Sequence, residues 1–342
     1  MSRSKTVLCC ALAACKFLWS PEYGAAAPLN LPVATGLSPG DILISDFFNG
    51  WIKFDPTSNQ LYALNWPKHS PSIEGLSVDL DGSILSKRFG EPLVRVNHRT
   101  GALTPLVGTP THVLNYRVLP DGDFLMYQGA SSSNRGDVWS GGEDSIFLRY
   151  DRETGTTSPL PKPHHFSPQF IATGANGEIF IDEFFRGIQQ IDLATGTMSN
   201  YAQPPASPMR SNLIGVFPNG DLAIATRIDG PSRFDLASGT ITPVSSESPF
   251  PTPRWSIDED GNFWAIDHRE SILFLDSATG EISERLPRTS FFSPMSWVIL
   301  PSDWTPPPVP EPSALVLALA AGGAGIATRR PRRQSRMTAT IA

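Results

Sequence analysis

Two short motifs within residues 81–101 decide the fold. Asp81-Gly82-Ser83-Ile84-Leu85 places a turn glycine directly before a short apolar strand, and Val96-Asn97-His98-Arg99-Thr100-Gly101 places a second turn after another strand. An Asp-Gly pair is a hairpin-turn dipeptide. In the second motif the Asn97 side chain can bond backbone amides two residues on, and Gly101 can take a positive φ at little cost. The stretch therefore predicts four short strands, at residues 76–80, 84–86, 93–96 and 102–106.

Both motifs occur six times along the chain. The turn glycine of the first motif returns at intervals of 42, 40, 55, 43 and 41 residues, at Gly40, Gly82, Gly122, Gly177, Gly220 and Gly261. The second motif is centred on Asp55, Asn97, Asp151, Asp192, Asp235 and Asp276. Four short strands at a period of about 40–45 residues make one propeller blade. Six copies predict an all-β chain with a single six-bladed β-propeller over residues 36–304.

The two ends of the repeat region predict how the ring closes. The first repeat lacks its innermost strand, and one spare strand, Ser296 to Pro301, follows the sixth repeat. Its pattern matches the first-strand position of other repeats, for example Tyr116 to Pro120. We expect this strand to pair with the three N-terminal strands, because closure removes exposed strand edges. The longer third interval reflects an insertion rich in serine and glycine at residues 129–143.

Composition narrows the possible partners. The formal net charge is −6 and the isoelectric point is near 5.5, which argues against a nucleic-acid partner. The cysteines are Cys9, Cys10 and Cys15, all near the N-terminus. A body without cysteine has no disulfide and no thiolate metal site, so its stability depends on its hydrophobic core.

The N-terminus has the pattern of a secretory signal peptide. A basic start is followed by the mostly apolar residues 6–19 and by Ala25 to Ala27, which form a small-residue cleavage zone. The signal peptide is therefore expected at residues 1–27. A second interpretation is that Leu12 to Cys15 is a lipobox, which would make Cys15 a lipidated N-terminus.

The C-terminus carries a second targeting pattern. The segment 305–312 is a Pro-rich linker that ends in Pro310-Glu311-Pro312. Ala314 to Ala327 then spans 14 residues without a polar side chain, and four arginines follow within residues 329–333. A membrane-spanning helix needs about 20 apolar residues, so this short hydrophobic helix, within residues 313–334, suits a transient membrane segment. The arginines would stay on the cytoplasmic side.

This tail resembles the PEP-CTERM sorting signal of bacterial exported proteins. The resemblance implies that an exosortase recognises and removes the tail, and that the protein reaches the cell envelope or extracellular matrix through a membrane-anchored intermediate. A plain, retained membrane anchor is the alternative. The residues that carry the resemblance are Val309, Pro310, Glu311, Pro312, Ser313, Arg329, Arg330, Arg332 and Arg333.

The repeat body resembles six-bladed propellers of the NHL-repeat, streptogramin-lyase and gluconolactonase type. Gluconolactonase-like propellers hold a metal with acid and amide side chains at the channel mouth. In this sequence the residue eight positions before each turn glycine belongs there, at Glu74, Leu114, Gln169, Asn212 and Pro253. Glu74, Gln169 and Asn212 offer oxygen ligands that suit calcium or magnesium. The alternative is that they line a solvated channel and that the protein has no cofactor.

Loops between the second and third strands supply further polar residues on the same face. Their members are Asp46, Arg88, Gln128, Asp182, Glu183, Arg186, Asp229, Asp267 and His268. His268 beside Asp267 has the pattern of a general base steered by a carboxylate. His164-His165 could bind metal or lie in a solvated loop. The phenylalanine pairs at 47–48 and 184–185 favour blade packing over a ligand clamp.

Two function classes remain. The first is a surface or matrix module without a catalytic residue, whose propeller binds an extracellular polysaccharide or a protein. The second is a divalent-metal-dependent propeller hydrolase or lyase, of the lactonase or streptogramin-lyase type. The sequence favours the first class, because the candidate metal ring contains a single carboxylate, Glu74.

Overall fold

The structure is a computed structural model. It describes residues 30–46, 49–67, 73–88, 90–128, 146–160, 168–174, 177–183, 187–192, 194–195, 197–202, 212–226, 230–245, 254–266, 271–286 and 294–308. The chain divides into two compact units, residues 1–306 and residues 307–342. Of the second unit the structure describes Pro307 and Pro308.

The first unit consists of β-strands in six antiparallel sheets, which are the blades. In blade 1 the strands that follow the N-terminus are β1 (Val33–Ala34), β2 (Ile42–Asp46), β3 (Gly50–Asp55) and β4 (Gln60–Leu64). Blade 2 holds β5 (Ile73–Val78), β6 (Ile84–Arg88), β7 (Val94–Val96) and β8 (Leu103–Pro105). Blade 3 holds β9 (Val113–Val118), β10 (Phe124–Gln128), β11 (Ile146–Asp151) and β12 (Thr156–Leu160).

The other three blades repeat this order. Blade 4 holds β13 (Pro168–Thr173), β14 (Ile179–Glu183), β15 (Gly187–Ile191) and β16 (Met198–Ala202). Blade 5 holds β17 (Asn212–Val216), β18 (Leu222–Thr226), β19 (Gly230–Phe234) and β20 (Ile241–Pro243). Blade 6 holds β21 (Arg254–Ile257), β22 (Phe263–Ile266), β23 (Ile272–Leu275) and β24 (Ile282–Leu286). The last strand, β25 (Pro294–Ile299), belongs to blade 1.

The ring closes as the sequence predicts. β25 pairs antiparallel with β2, with Ile299 opposite Ile42 and Trp297 opposite Ile44, so the end of the propeller supplies the innermost strand of its first blade. The prediction of an all-β six-bladed propeller is confirmed. One strand was not anticipated: β1 pairs in parallel with β4, the outermost strand of blade 1, with Val33 opposite Ala63.

Apolar clusters between neighbouring blades hold the ring together. The cluster between blades 6 and 1 joins Ile44 and Phe54 to Trp264 and Ile272, and the rings of Phe54 and Trp264 meet edge to face at 6.2 Å. Five further clusters of the same kind join blades 1 and 2, 2 and 3, 3 and 4, 4 and 5, and 5 and 6. Burying each large apolar side chain contributes about 1.5–3 kcal/mol, so both faces of every blade stabilise the ring.

The residue after the turn glycine ties the two turns of a blade together, a role that the sequence analysis missed. In blade 5 Asp221 accepts hydrogen bonds from Arg233 Nε at 2.5 Å and from the Leu236 amide at 3.3 Å. In blade 3 Asp123 accepts from Arg149 Nε at 2.8 Å and from the Arg152 amide at 3.1 Å. The first hairpin therefore anchors the start of the second turn.

The C-terminal end of the propeller unit lies against the turns of blade 2. Trp304 is buried, and its indole Nε1 donates to the Gly82 carbonyl at 2.8 Å. Its ring also meets His98 edge to face at 6.0 Å. Gly82 has a φ of +76°, and a Cβ atom there would lie 2.1 Å from the Thr305 carbonyl oxygen. This turn therefore needs glycine for its conformation and for the close approach of the chain.

The described residues contain no α-helix, and hence no helix long and apolar enough to cross a membrane. The predicted signal peptide, the lipidation alternative at Cys15 and the C-terminal hydrophobic helix with its sorting-signal residues lie outside the described residues. Those assignments stay predictions.

Gly82→Ala should destabilise the protein more than Gly220→Ala. Both glycines occupy the same turn position with a positive φ, so each substitution should cost about 1 kcal/mol or more of the free energy of unfolding through backbone strain. Nothing lies within 4 Å of a Cβ at Gly220, whereas at Gly82 the Thr305 carbonyl must move. Denaturant unfolding of the two variants measures the difference. Equal losses would contradict the account of the Trp304 segment.

Candidate functional site

The inner strands β25, β5, β9, β13, β17 and β21 surround the central channel. Neighbouring inner strands lie side by side, as β9 with β13, β13 with β17, and β25 with β5. Five inner strands run into the turn that carries their turn glycine, and the end of β25 lies against Gly40, whose amide donates to the Leu300 carbonyl. These turns therefore gather at one end of the ring, called here the turn end. The opposite end, where the inner strands begin, is called the channel mouth.

The inner strands carry β-bulges at the channel mouth. In four strands the extra residue is the one eight positions before the turn glycine: Glu74 in β5, Leu114 in β9, Gln169 in β13 and, at the equivalent position, Met295 in β25. In β17 the register shifts at Ile214 instead, and Asn212 pairs regularly with Ala225. Bulges re-aim side chains and are enriched beside functional sites. The channel mouth is thus the structurally irregular end of an otherwise regular ring.

The predicted metal-ligand residues therefore differ in whether they lie at a bulge. Glu74 and Gln169 occupy equivalent bulges, as their spacing predicts, whereas Asn212 lies on β17 outside its bulge. Leu114 and Met295 bring apolar residues to the same level. Pro253 lies outside the described residues. Within the part of the chain that the structure describes, no three carboxylate, histidine or cysteine groups cluster as metal ligands.

Two buried charged side chains fix neighbouring inner strands near the mouth. Lys87 of β6 donates through Nζ to the carbonyl oxygen of the bulged Leu114 at 2.6 Å. Asp182 of β14 accepts a hydrogen bond from the Leu213 amide of β17 at 3.2 Å. Both side chains are less than a tenth exposed. Each bond crosses from one blade to the next, so the mouth is held by specific polar contacts as well as by apolar packing.

Other residues that the sequence analysis placed in these loops bond to nearby residues of their own blade. Asp46 accepts from the backbone and side-chain nitrogens of Asn49, at 2.8 and 2.7 Å. Arg88 pairs with Glu91 at 2.7 Å, and Gln128 Nε2 donates to the Thr111 carbonyl at 3.3 Å. Glu183 ends β14. Several predicted residues lie outside the described part of the chain: Arg186, Asp229, Asp267, His268, His164, His165 and the phenylalanines at 47–48 and 184–185.

The sequence analysis missed a charged residue on an inner strand. Arg117 lies in the middle of β9, and its guanidinium donates to the Tyr116 carbonyl at 3.1 Å. Burial lowers the pKa of Arg117, partly offset by the neighbouring Tyr116. A guanidinium nevertheless stays charged at neutral pH. In the sequence, Tyr116 to Pro120 is one more apolar inner strand, and a single arginine within it gives no signal of where its side chain goes.

The residue before Arg117, Tyr116, packs between blades 2 and 3. Its hydroxyl accepts a hydrogen bond from Ser77 Oγ at 2.9 Å, and its side chain belongs to the apolar cluster between these blades. Burial raises the pKa of Tyr116 to about 12, although the Ser77 hydrogen bond opposes the shift.

At the turn end, a network of ion pairs joins blades 2 and 3. The buried Asp79 pairs with Arg152 of the neighbouring blade, and its second oxygen lies 3.8 Å from Arg95. Burial raises the pKa of Asp79, while the hydrogen bond from Arg152 opposes the shift. Each of these charges has an opposite charge close by, so the network stabilises the packing of the two blades. Asp79 Oδ2 and the Nε atoms of Arg95 and Arg152 are buried without a hydrogen-bond partner among the described residues.

Comparisons with known proteins give the fold and no family. No protein-family model matches the sequence, and no curated protein matches it. Among solved structures, a chain of a nidogen/laminin complex is similar with a TM-score of 0.57 and 14% identity, over 77% of this chain and 98% of that one. A protein of unknown function from Bacteroides caccae is similar with a TM-score of 0.54 and 16% identity, over 77% and 99%.

The structure of virginiamycin B lyase from Staphylococcus aureus is 20% identical, with a TM-score of 0.48 over 66% of this chain and 73% of that one. The likeness to the nidogen/laminin and Bacteroides caccae structures supports the fold alone, and at such identities no activity passes from one protein to another. The class of protein defined here is therefore a six-bladed β-propeller with a bulged channel mouth.

The buried phenol of Tyr116 should make the protein lose stability at high pH. Its pKa is raised from 10.0 to about 12 in the folded state, so this contribution is present below pH 10 and is lost as the pH rises towards 12. A shift of this size corresponds to roughly 3 kcal/mol. Between pH 9 and 12, the free energy of unfolding of Tyr116→Phe should fall less steeply than that of the wild type. Parallel curves would contradict the burial of this hydroxyl.

Proposed function

We propose that this chain is an exported bacterial protein whose propeller is a binding module at the cell surface or in the extracellular matrix, with its ligand at the channel mouth. The observation that carries the proposal is the set of bulges that collects at one end of the inner strands, including Glu74, Leu114, Gln169 and Met295. The four bulged positions hold a glutamate, a leucine, a glutamine and a methionine on a closed ring. That mixture suits an extracellular polysaccharide or a protein segment.

Export and sorting complete the proposal. The leader at residues 1–27 would direct the chain to the membrane, and the tail would act as a PEP-CTERM-type signal for an exosortase. In the propeller unit, the segment of Trp304 and Thr305 lies against Gly82 at the turn end. The Pro-rich linker therefore begins at the turn end of the propeller unit.

A divalent-metal hydrolase or lyase is the second candidate. The equivalent bulge positions of Glu74 and Gln169 favour it, because both residues carry oxygen atoms that calcium or magnesium accepts as ligands. The two candidates differ in whether the mouth needs a metal ion for its function.

Alanine at both Glu74 and Gln169 should abolish binding to the matrix. In a sedimentation assay, the purified protein should pellet with matrix polysaccharide or envelope fragments, and the double variant should stay in the supernatant. The control is Leu80→Ala, since Leu80 is 64% exposed in the Gly82 turn, at the other end of the ring. Equal pelleting of wild type and double variant, or loss of pelleting in the control, would contradict ligand binding at the channel mouth.

Metal analysis of the purified protein separates the two candidates. The binding-module proposal predicts that matrix binding survives treatment with a chelator. A stoichiometric calcium or magnesium ion that a chelator removes, and that is lost in Glu74→Gln while the exposed Glu153→Gln keeps it, would favour the enzyme instead.

The mature envelope form should lack the residues that follow Pro310-Glu311-Pro312. Replacing this triplet with alanines should block processing, and neutral residues at Arg329, Arg330, Arg332 and Arg333 should weaken membrane retention of the precursor. Intact-mass measurement reads out both. Pro306→Ala, in the same linker but outside the triplet, should be processed normally. An envelope form that still carries Ala314 to Ala342 would identify a plain membrane anchor.

A further inference from the structure

The pairing pattern of β9 places the Arg117 guanidinium at the channel. The Leu119 amide donates to the Asp123 carbonyl, so Leu119 is in a hydrogen-bonded pair with β10. Hydrogen-bonded and non-hydrogen-bonded pairs alternate in antiparallel sheets. The backbone groups of Tyr116 therefore point away from β10, towards the channel, because β9 is the inner edge of its sheet. Arg117 bonds to the Tyr116 carbonyl on that free edge.

A second contact on the same edge supports this placement. The Tyr116 amide, which also faces the channel, donates to Asn115 Oδ1 at 2.8 Å. Side chains of β9 thus satisfy its unpaired backbone groups. Arg117 uses one of its five guanidinium N–H donors for the hydrogen bond to the Tyr116 carbonyl. Most of its donor capacity is left for other acceptors.

No carboxylate among the described residues pairs with Arg117. This distinguishes it from the arginines at the turn end, where Arg95, Arg149 and Arg152 each pair with an aspartate. Removing a charge from water without a partner is costly, so partly buried arginines are normally paired. An anion from outside the chain would supply the missing partner.

Arg117 has the longest side chain at its height in the ring. In β5, β9, β13, β17 and β21 the residue five positions before the turn glycine pairs with the second strand at the same height, and Val298 is the equivalent residue of β25. Besides Arg117, that level holds Ser77, Ala172, Gly215, Ser256 and Val298. Four of these five have small side chains.

We propose that Arg117 forms an oxyanion-binding site inside the channel, which holds a carboxylate or phosphate group of a ligand that enters at the channel mouth. Arginine suits this task because its planar donor fork matches both groups in a bidentate geometry. The site deepens the proposed function and rests on it for the identity of the ligand, whose anionic group would reach Arg117 from the channel mouth.

Anion titration of the purified protein tests the site without any matrix ligand, so its failure is distinguishable from failure of matrix binding. Inorganic phosphate and acetate are titrated separately, with chloride at matched ionic strength as reference, and the midpoint of thermal unfolding is followed. A saturable rise with phosphate alone identifies a phosphate site, and a saturable rise with acetate identifies a carboxylate site. If neither oxyanion raises the midpoint above the chloride reference, the proposal is overturned.

Variants assign the effect to Arg117. Arg117→Gln should weaken oxyanion binding at least about tenfold, the loss of one charge-assisted interaction. Arg149→Gln removes an equally charged side chain that pairs with Asp121 and Asp123 at the turn end, and it should bind anions like the wild type. Arg117→Lys keeps the charge and should retain weakened binding, which covers the case that the glutamine variant does not fold. Unchanged affinity in Arg117→Lys and Arg117→Gln alike would overturn the assignment.

Discussion

The pairing of β25 with β2 is the constraint on which the rest of the structure depends. It joins the last strand of the propeller to the beginning of the ring, and it brings Trp297 and Ile299 to the cluster that joins blades 6 and 1. Without it, one face of blade 1 and one face of blade 6 would be exposed, and β2 would present a free edge to other chains. Six matching inter-blade clusters are possible only in a closed ring.

Closure also sets the level of every residue that faces the channel. Because each blade has the same spacing between its turn glycine and its inner strand, equivalent residues of different blades lie at one height. The acidic residue after the glycine reinforces this spacing, as Asp221 and Asp123 do by binding both turns of their blades. The bulges at the mouth and the level of residues that contains Arg117 are consequences of this shared register.

The sequence predicted the fold because the repeated turn chemistry is local: a glycine with positive φ and an aspartate that caps a turn leave a signal within a few residues. Glu74 and Gln169 occupy equivalent bulges because both lie eight residues before their turn glycines, and their role as metal ligands stays a prediction. The bulge at Ile214, the parallel strand β1 and the contact of Trp304 with Gly82 were missed. The parallel strand and the Trp304 contact join residues that are distant in sequence, whereas the bulge at Ile214 lies within the local hairpin of β17 and β18.

Hydrogen exchange of the β25 backbone tests ring closure most directly. The account predicts that peptides covering Pro294–Ile299 exchange as slowly as those of the buried second strands, such as β10 and β22, because β25 can open only when the ring opens. Fast exchange of β25 while β10 and β22 stay protected would contradict a closed ring. The six blades would then form an open array, and a channel mouth shared by all inner strands could not exist.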